Sequence, residues 1–273
     1  MPTTTNPIGI YDSGVGGLSV LREVRSLLPT ENLVYFGDQA KVPYGNRPIE
    51  ELQQLAEGVM RFLIEQHCKL VVIACNTASA AALKPMRALY PDLPIVGMEP
   101  AVKPAAEQTL SGKVGVLATP STFAGALYAS VVERFAHDVE VFQDTCPGLV
   151  AQIEKGYLST PKTCRILENA INPMLDAGVD TLVMGCTHYP FVIPEIEKLA
   201  RGRARVIDPA PAIARQVRHV LEQRELLNPA TQTGAMTFYT SGDPAKFAIR
   251  IRQLIGVIAD PIELTWVGTT LTF

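Results

Sequence analysis

The sequence predicts an α/β fold of two pseudo-symmetric lobes, each a mostly parallel sheet flanked by helices, with the working site in the cleft between them. Three observations carry that expectation. Short apolar runs alternate with helical patterns along almost all of the 273 residues. The runs are uniformly apolar, as strands covered on both faces are. Four short segments also recur in the same order at nearly the same offset, which points to a duplicated α/β unit.

Taken in order, the first strand is read at IGIY (8–11) and leads through the glycine-rich DSGVGG into a helix. NLVYF (32–36) is the second strand, and VPYGNRP (42–48) forms a tight turn after it. A helix over 48–66, a strand at 69–74, a helix over 76–89 and a strand at 94–97 complete the first unit. The second begins with KVGVLA (113–118), a helix over 121–135 and VEVF (139–142). It continues with a helix over 161–177, TLVMG (181–185) and ARVI (204–207), and a helix over 210–226 then leads into the tail. The tail adds MTFYT (236–240), a helix near 244–254 and IELTWV (262–267). Strand, helix, strand in this rhythm argues for parallel sheets.

The repeat pairs IGIYDS with VGVLAT, so that Asp12 falls on Ala118 and Ser13 on Thr119, each 106 residues apart. VYFGD pairs with VEVFQD, putting Asp38 on Asp144, again 106 apart. VVIAC pairs with LVMGC, putting Cys75 on Cys186 at 111, and Glu99 falls near Asp208 at 109. Strand composition is restricted enough to produce single matches unaided; the common order is what carries the reading. Residues 1–98 with 211–273 are expected to form the first lobe and 99–210 the second.

Composition narrows the function. The chain is 47% hydrophobic and 19% charged with net charge −3, ordinary for a globular protein. It has no basic block, so nucleic acid and anionic membranes are not expected partners. No apolar run approaches the roughly 18 residues of a membrane span. The start, MPTTTNPIGIYDSG, is not a signal peptide, and a cytoplasmic location is expected. The five cysteines, Cys68, Cys75, Cys146, Cys164 and Cys186, include no CxxC pair, so free thiols and no metal site are expected. Cys68 and Cys164 fall in helix-like stretches and read as small buried hydrophobes; Cys146, in DTCPGL, reads as a loop residue.

Cys75 and Cys186 stand apart. In open parallel sheets, ligands sit outside the carboxyl ends of the strands. Both cysteines occupy that position, as equivalents in two lobes. If the lobes face one another, two thiols flank one cleft. Such a pair can take a proton from one face of a tetrahedral carbon and return one to the other, giving the mirror-image product. A thiol with a reference pKa near 8.5 reaches both forms near neutral pH. Helix N-termini at both strand-to-helix junctions are expected to favour thiolate, and His188 can shuttle a proton or polarise the site.

Other groups are expected to line the same cleft. GVGG lacks the third glycine of a dinucleotide fingerprint, because residue 19 is serine; a carboxylate at Asp12 would repel phosphate and better hold an ammonium. The turn at Pro43, Tyr44 and Gly45 can offer a phenol and backbone N–H groups to an anion. Ser13, Asn76, Thr77, Thr119 and Thr187 complete an anion-friendly lining.

Together, DSGVGG, PYG, ACNTASA and GCTHYP closely resemble the glutamate racemases of the aspartate/glutamate racemase superfamily, in family order and spacing from about Ile8 to the C-terminal region. The resemblance implies cofactor-independent interconversion of L- and D-glutamate, supplying D-glutamate for peptidoglycan, by a homodimer. It implies Cys75 as the base toward D-glutamate and Cys186 toward L-glutamate. It implies Asp12 and Thr187 at the ammonium, and Asn76 and Thr77, with Thr119, at the α-carboxylate. Ser13 and the Tyr44–Gly45 turn would hold the side-chain carboxylate. His188 would assist Cys186, Asp12 would assist Cys75, and Glu154 matches an acidic position near the second thiol. Some members carry a longer N-terminal extension linked to activation by a cell-wall precursor, and regulation of that kind is not expected here.

Other readings fit less well. An aspartate or other amino-acid racemase with the same thiol pair is the nearest. A two-lobed amino-acid-binding protein needs no thiols. A Cys–His hydrolase leaves Cys75 without a purpose. A pyridoxal-phosphate racemase needs a Schiff-base lysine and a phosphate cradle, and neither is identifiable.

Overall fold

The computed structural model describes residues 2–99, 101–136 and 138–273. The first half supplies strands β1 (Ile8–Asp12), β2 (Leu33–Gly37), β3 (Leu70–Ile73) and β4 (Ile95–Gly97). The second supplies β5 (Lys113–Ala118), β6 (Glu140–Asp144), β7 (Thr181–Gly185) and β8 (Arg205–Ile207). The tail adds β9 (Met236–Thr240), β10 (Ile262–Glu263) and a hairpin of β11 (Thr265–Val267) and β12 (Thr270–Thr272). One sheet runs β10-β9-β2-β1-β3-β4 and the other β6-β5-β7-β8. Every ladder in these two sheets is parallel among the described residues; only the β11–β12 hairpin is antiparallel.

The strand order β2-β1-β3-β4 thus recurs as β6-β5-β7-β8. The register repeats as well: Ile8 lies opposite Leu70 in the first sheet and Val114 opposite Thr181 in the second. Those are the offsets that align Cys75 with Cys186. One pairing read from sequence slips. Tyr11 faces Phe36, and its counterpart Leu117 faces Asp144, so Asp144 is equivalent to Phe36 and not to Asp38. A slip of two keeps every side chain on the same face of a strand, so apolar letters alone do not detect it.

The helices are α1 (Leu18–Leu27), α2 (Ile49–Glu65), α3 (Asn76–Leu89), α4 (Val102–Gln108), α5 (Pro120–Ala124) and α6 (Ala126–Phe135). They continue with α7 (Leu149–Glu154), α8 (Pro161–Asp176), α9 (Ile193–Ala200), α10 (Ala210–Gln223) and α11 (Pro244–Ile255). Local chemistry sets several ends. Thr119, Thr160 and Asp243 accept backbone N–H groups at the starts of α5, α8 and α11, each followed by proline at the first helical position. Gly256, at φ +71°, closes α11 in the left-handed region.

Three local expectations change. The helix expected over 121–135 breaks at Gly125, where an added Cβ would lie 2.9 Å from the Cβ of Ala80; the chain bends there to let α3 pass closely. IELTWV is two strands rather than one. Ile262 and Glu263 pair with β9, Leu264 turns inward and is buried, and the chain then enters the hairpin. Cys68 lies beyond the end of α2, buried beside Gly9 on the approach to β3.

Strands β1 and β3 are buried along their whole length, as their uniform apolar sequences require. One apolar cluster runs through both lobes, from Ile10 and Val72 in the first sheet to Leu182 and Met184 in the second. Below the first sheet, away from its carboxyl ends, Lys69 and Glu31 form a buried ion pair at 2.6 Å. Lys69 also donates to the carbonyls of Thr4 and Leu226, and Glu31 Oε1 accepts the N–H of Asn228 at 2.8 Å. Among the described residues no helix is long and apolar enough to cross a membrane.

Candidate active site

A cavity of about 570 Å³ opens between the carboxyl ends of the two sheets. Ser13, Tyr44, Gly45, Cys75, Asn76, Thr77, Cys186, Thr187 and His188 line it, as do Thr119 and Glu154. Asp12 does not. Its fully buried carboxylate sits behind the wall, accepting the N–H of Gly14 at 3.0 Å and the hydroxyl of Thr187 at 3.1 Å. Asp12 is thus joined to the cavity wall through its hold on Thr187.

Cys75 closes the end of β3 and caps α3, its sulfur accepting the N–H of Ala78 at 3.5 Å. Ser13 Oγ lies 3.9 Å from the same sulfur. Burial pushes the Cys75 thiol up, the neighbouring Asp12 carboxylate pushes it further, and the Ala78 N–H opposes both. Cys75 therefore rests as the protonated thiol.

Cys186 has different company. A short 3₁₀ turn (Tyr189–Val192) follows it and α9 starts only at Ile193, so the helix N-terminus expected at this sulfur is absent. Its neighbour is His188, with Nδ1 3.7 Å from the sulfur. His188 Nε2 lies 2.6 Å from Glu154 Oε1, which also accepts the N–H of Val15 at 2.9 Å. Burial works against a charged imidazole here, but the contacts with Cys186 and Glu154 outweigh it and hold His188 well above its ordinary value. Burial likewise opposes the Glu154 carboxylate, and its bond to His188 overcomes that and holds it below the usual range. The resting dyad is imidazolium and carboxylate.

The signs of the two shifts set a pH window. A raised His188 contributes its full stability below about pH 6.5 and loses it as pH rises through the folded-state value. A lowered Glu154 contributes above the ordinary carboxylate range and loses it on acidification. Glu154→Gln is expected to lower His188 toward its ordinary range, so that the imidazolium is lost at lower pH than in the wild type. NMR titration of the imidazole checks this, and turnover at pH 8 is expected to fall about tenfold.

The glycine-rich entry to α1 is a close-packing device rather than a phosphate cradle. A Cβ at Gly16 would lie 2.5 Å from His188 Nδ1 and 2.6 Å from Thr187 Oγ1, and one at Gly14 would overlap Glu154 Oε1. Gly16→Ala is expected to displace His188 and lower turnover about 10²-fold, with far-UV circular dichroism unchanged.

Tyr44 corrects a second detail. Its phenol donates to Asp38 Oδ2 at 2.6 Å and is not available to an anion. The backbone of the 3₁₀ turn Tyr44–Asn46 is what remains for that task. Ser121 Oγ, from the other lobe, donates to the Gly45 carbonyl at 2.5 Å. The hydroxyls of Thr77 and Thr119 meet at 2.8 Å across the lobes, and Thr119 reaches Thr122 at 2.9 Å. Both polar side-chain atoms of Asn76 are buried without a partner in the cavity wall, the state of a group kept for a ligand.

Two residues were not recognised from sequence. Cys146 lines the cavity at φ +44°, buried, its N–H donated to Asp144 at 2.6 Å. Asp38, noted only as part of a repeat, proves to be a buried acceptor behind the Tyr44 turn. The corrected register makes Cys146 the counterpart of Asp38, a signal that correct alignment of the repeat would have given. Among the described residues no cluster of three or more potential metal ligands occurs.

Residues 17–217 match the model of the Asp/Glu/Hydantoin racemase family. The chain is 51% identical over 252 residues to a glutamate racemase of Roseiflexus sp. (strain RS-1), covering 92% of this chain and 93% of that one. A glutamate racemase from Francisella tularensis subsp. tularensis SCHU S4, solved with D-glutamate, superposes with TM-score 0.83 at 30% identity, covering 97% and 98%. The Escherichia coli glutamate racemase, solved with L-glutamate and the activator UDP-MurNAc-ala, gives TM-score 0.82 at 29% identity, covering 96% and 100%.

The two-lobed α/β fold with a cavity at its paired sheet ends is that of an isomerase, an amino-acid racemase. The chain belongs to the Asp/Glu/hydantoin racemase family.

Proposed function

We propose that this chain interconverts L- and D-glutamate without a cofactor, by two bases, and so supplies D-glutamate for peptidoglycan. The observation that carries the reading is the placement of Cys75 and Cys186. They end equivalent strands of two sheets with the same order and register, and both line one cavity.

In this reading Cys186, beside the His188 imidazolium, takes the α-proton of L-glutamate as thiolate. Cys75, resting as thiol, returns one to the opposite face. The reverse reaction exchanges the roles, Cys75 acting as base toward D-glutamate. Each turnover leaves one thiol and one thiolate, so charge and protons balance and no external acid is consumed. His188 and Glu154 support Cys186, and Asp12 flanks Cys75. Asn76, Thr77 and Thr119 hold the α-carboxylate and Thr187, held by Asp12, meets the ammonium. Ser13 and the backbone of the Tyr44–Gly45 turn hold the side-chain carboxylate. A homodimer in the cytoplasm completes the reading.

The test is solvent exchange. Each glutamate enantiomer is incubated with the protein in D2O without added cofactor, while α-deuteration and optical rotation are followed. Both are expected to proceed to a racemic, deuterated product. Faster turnover of aspartate than glutamate would move the assignment to the related substrate.

A further inference from the structure

We propose that the C-terminal segment sets the side-chain carboxylate site through Asp38, with Ser241, just past β9, and Trp266, in the hairpin, as the positioning residues. The inference rests on the reading that the Tyr44–Gly45 turn holds that carboxylate.

Asp38 is fully buried just beyond β2. Among the described residues no cation lies within 4.0 Å of it as an ion-pair partner. Three neutral donors satisfy it instead. Tyr44 Oη donates to Oδ2 at 2.6 Å, while Ser241 Oγ at 2.6 Å and Trp266 Nε1 at 2.8 Å donate to Oδ1. One oxygen therefore faces the cavity wall and the other faces the tail. Burial pushes the Asp38 carboxyl up, and the bonds from Ser241, Tyr44 and Trp266 draw it back. Losing a donor leaves a buried carboxylate under-satisfied, a costly state that is relieved by movement.

The donors on the tail side cannot drift freely. Trp266 is seated over α2 at Gly58, where an added Cβ would lie 2.6 Å from the indole ring. Ser241 Oγ also accepts the N–H of Ala40 at 3.0 Å, tying the end of β9 to the loop after β2. On the cavity side, a Cβ at Gly45 would lie 3.0 Å from that of Thr119, so the turn has little room of its own. The phenol of Tyr44 is the link. It is committed to Asp38, and where Asp38 sits decides where the Tyr44 and Gly45 N–H groups point. Residues 228 positions apart in sequence thereby share one anion site.

The test separates positioning from mere support. Trp266→Phe keeps the ring packing and removes the donor. It is expected to raise KM for both glutamate enantiomers about fivefold with kcat within about twofold, and Ser241→Ala is expected to act in the same direction. Lys69→Met, outside the hairpin and at the far end of the strands, is expected to lower Tm while leaving KM unchanged. Trp266 is the only tryptophan, so saturating glutamate is expected to shift its emission in the wild type and not in Asp38→Asn. Gly45→Ala, which moves the turn directly, is expected to raise KM. If Gly45→Ala raises KM and Trp266→Phe does not, the inference falls and the reading of the turn stands. If Gly45→Ala leaves KM unchanged, the reading of the turn falls first. A KM change in Lys69→Met matching that in Trp266→Phe, or a wild-type emission unmoved by substrate, would also overturn the coupling.

Discussion

Cys75→Ala and Cys186→Ala are each expected to lower racemisation of both glutamate enantiomers by on the order of 10³-fold. Inversion needs a base on one face of the α-carbon and an acid on the other, so removing either sulfur breaks the cycle in both directions. The two variants should nonetheless differ. With Cys75 gone, the Cys186 side can still draw a proton from L-glutamate and return solvent deuterium to the same face. With Cys186 gone, only D-glutamate can be treated in that way. Residual α-proton exchange in D2O, free of inversion, is therefore expected for one enantiomer in each variant and for opposite ones in the two. Normal racemisation by either variant would remove that sulfur from the chemistry. Exchange of the same enantiomer by both would reverse one assignment.

Lys69→Met is expected to cost about 3–5 kcal/mol of stability, because it leaves Glu31 as an unpaired carboxylate in the interior. In thermal unfolding this amounts to a drop in Tm of roughly 10 °C. The pair lies at the opposite end of the strands from the cavity, so kcat and KM of the folded variant at low temperature are expected to match the wild type. The double variant Glu31→Leu/Lys69→Met is expected to recover much of the loss, because two apolar side chains ask nothing of their surroundings. A single variant as stable as the wild type would show that the salt link and its carbonyl acceptors contribute little.

The parts of the fold that were legible in the sequence are the parts set by local pattern. Uniform apolar runs gave the strands, and Asn76–Leu89 is a helix over the residues expected. The two cysteines were legible because strand end, sulfur and following polar residues are neighbours in the chain. Nine of the ten residues expected at the site do line the cavity. What was not legible depends on distant partners. Nothing near Tyr44 says that its phenol turns away from the cavity toward Asp38, since the reason includes Trp266. Nothing near Asp12 says that Thr187 will screen it. The break at Gly125 depends on how closely Ala80 approaches. The slip of Asp38 onto Asp144 arose because strands draw on so few residue types that two registers read alike.

The unequal surroundings of the two sulfurs, one beside Asp12 and the other beside His188 and Glu154, have a thermodynamic limit. L- and D-glutamate have equal free energies in solution, so the ratio of kcat/KM in the two directions must be one whatever the protein does. An electrostatic bias at one sulfur can make kcat differ between the two enantiomers only if KM differs between them by the same factor. The lopsided pocket therefore governs which hand of the amino acid lingers on the enzyme at saturation, while the fifty-fifty end point lies beyond its reach.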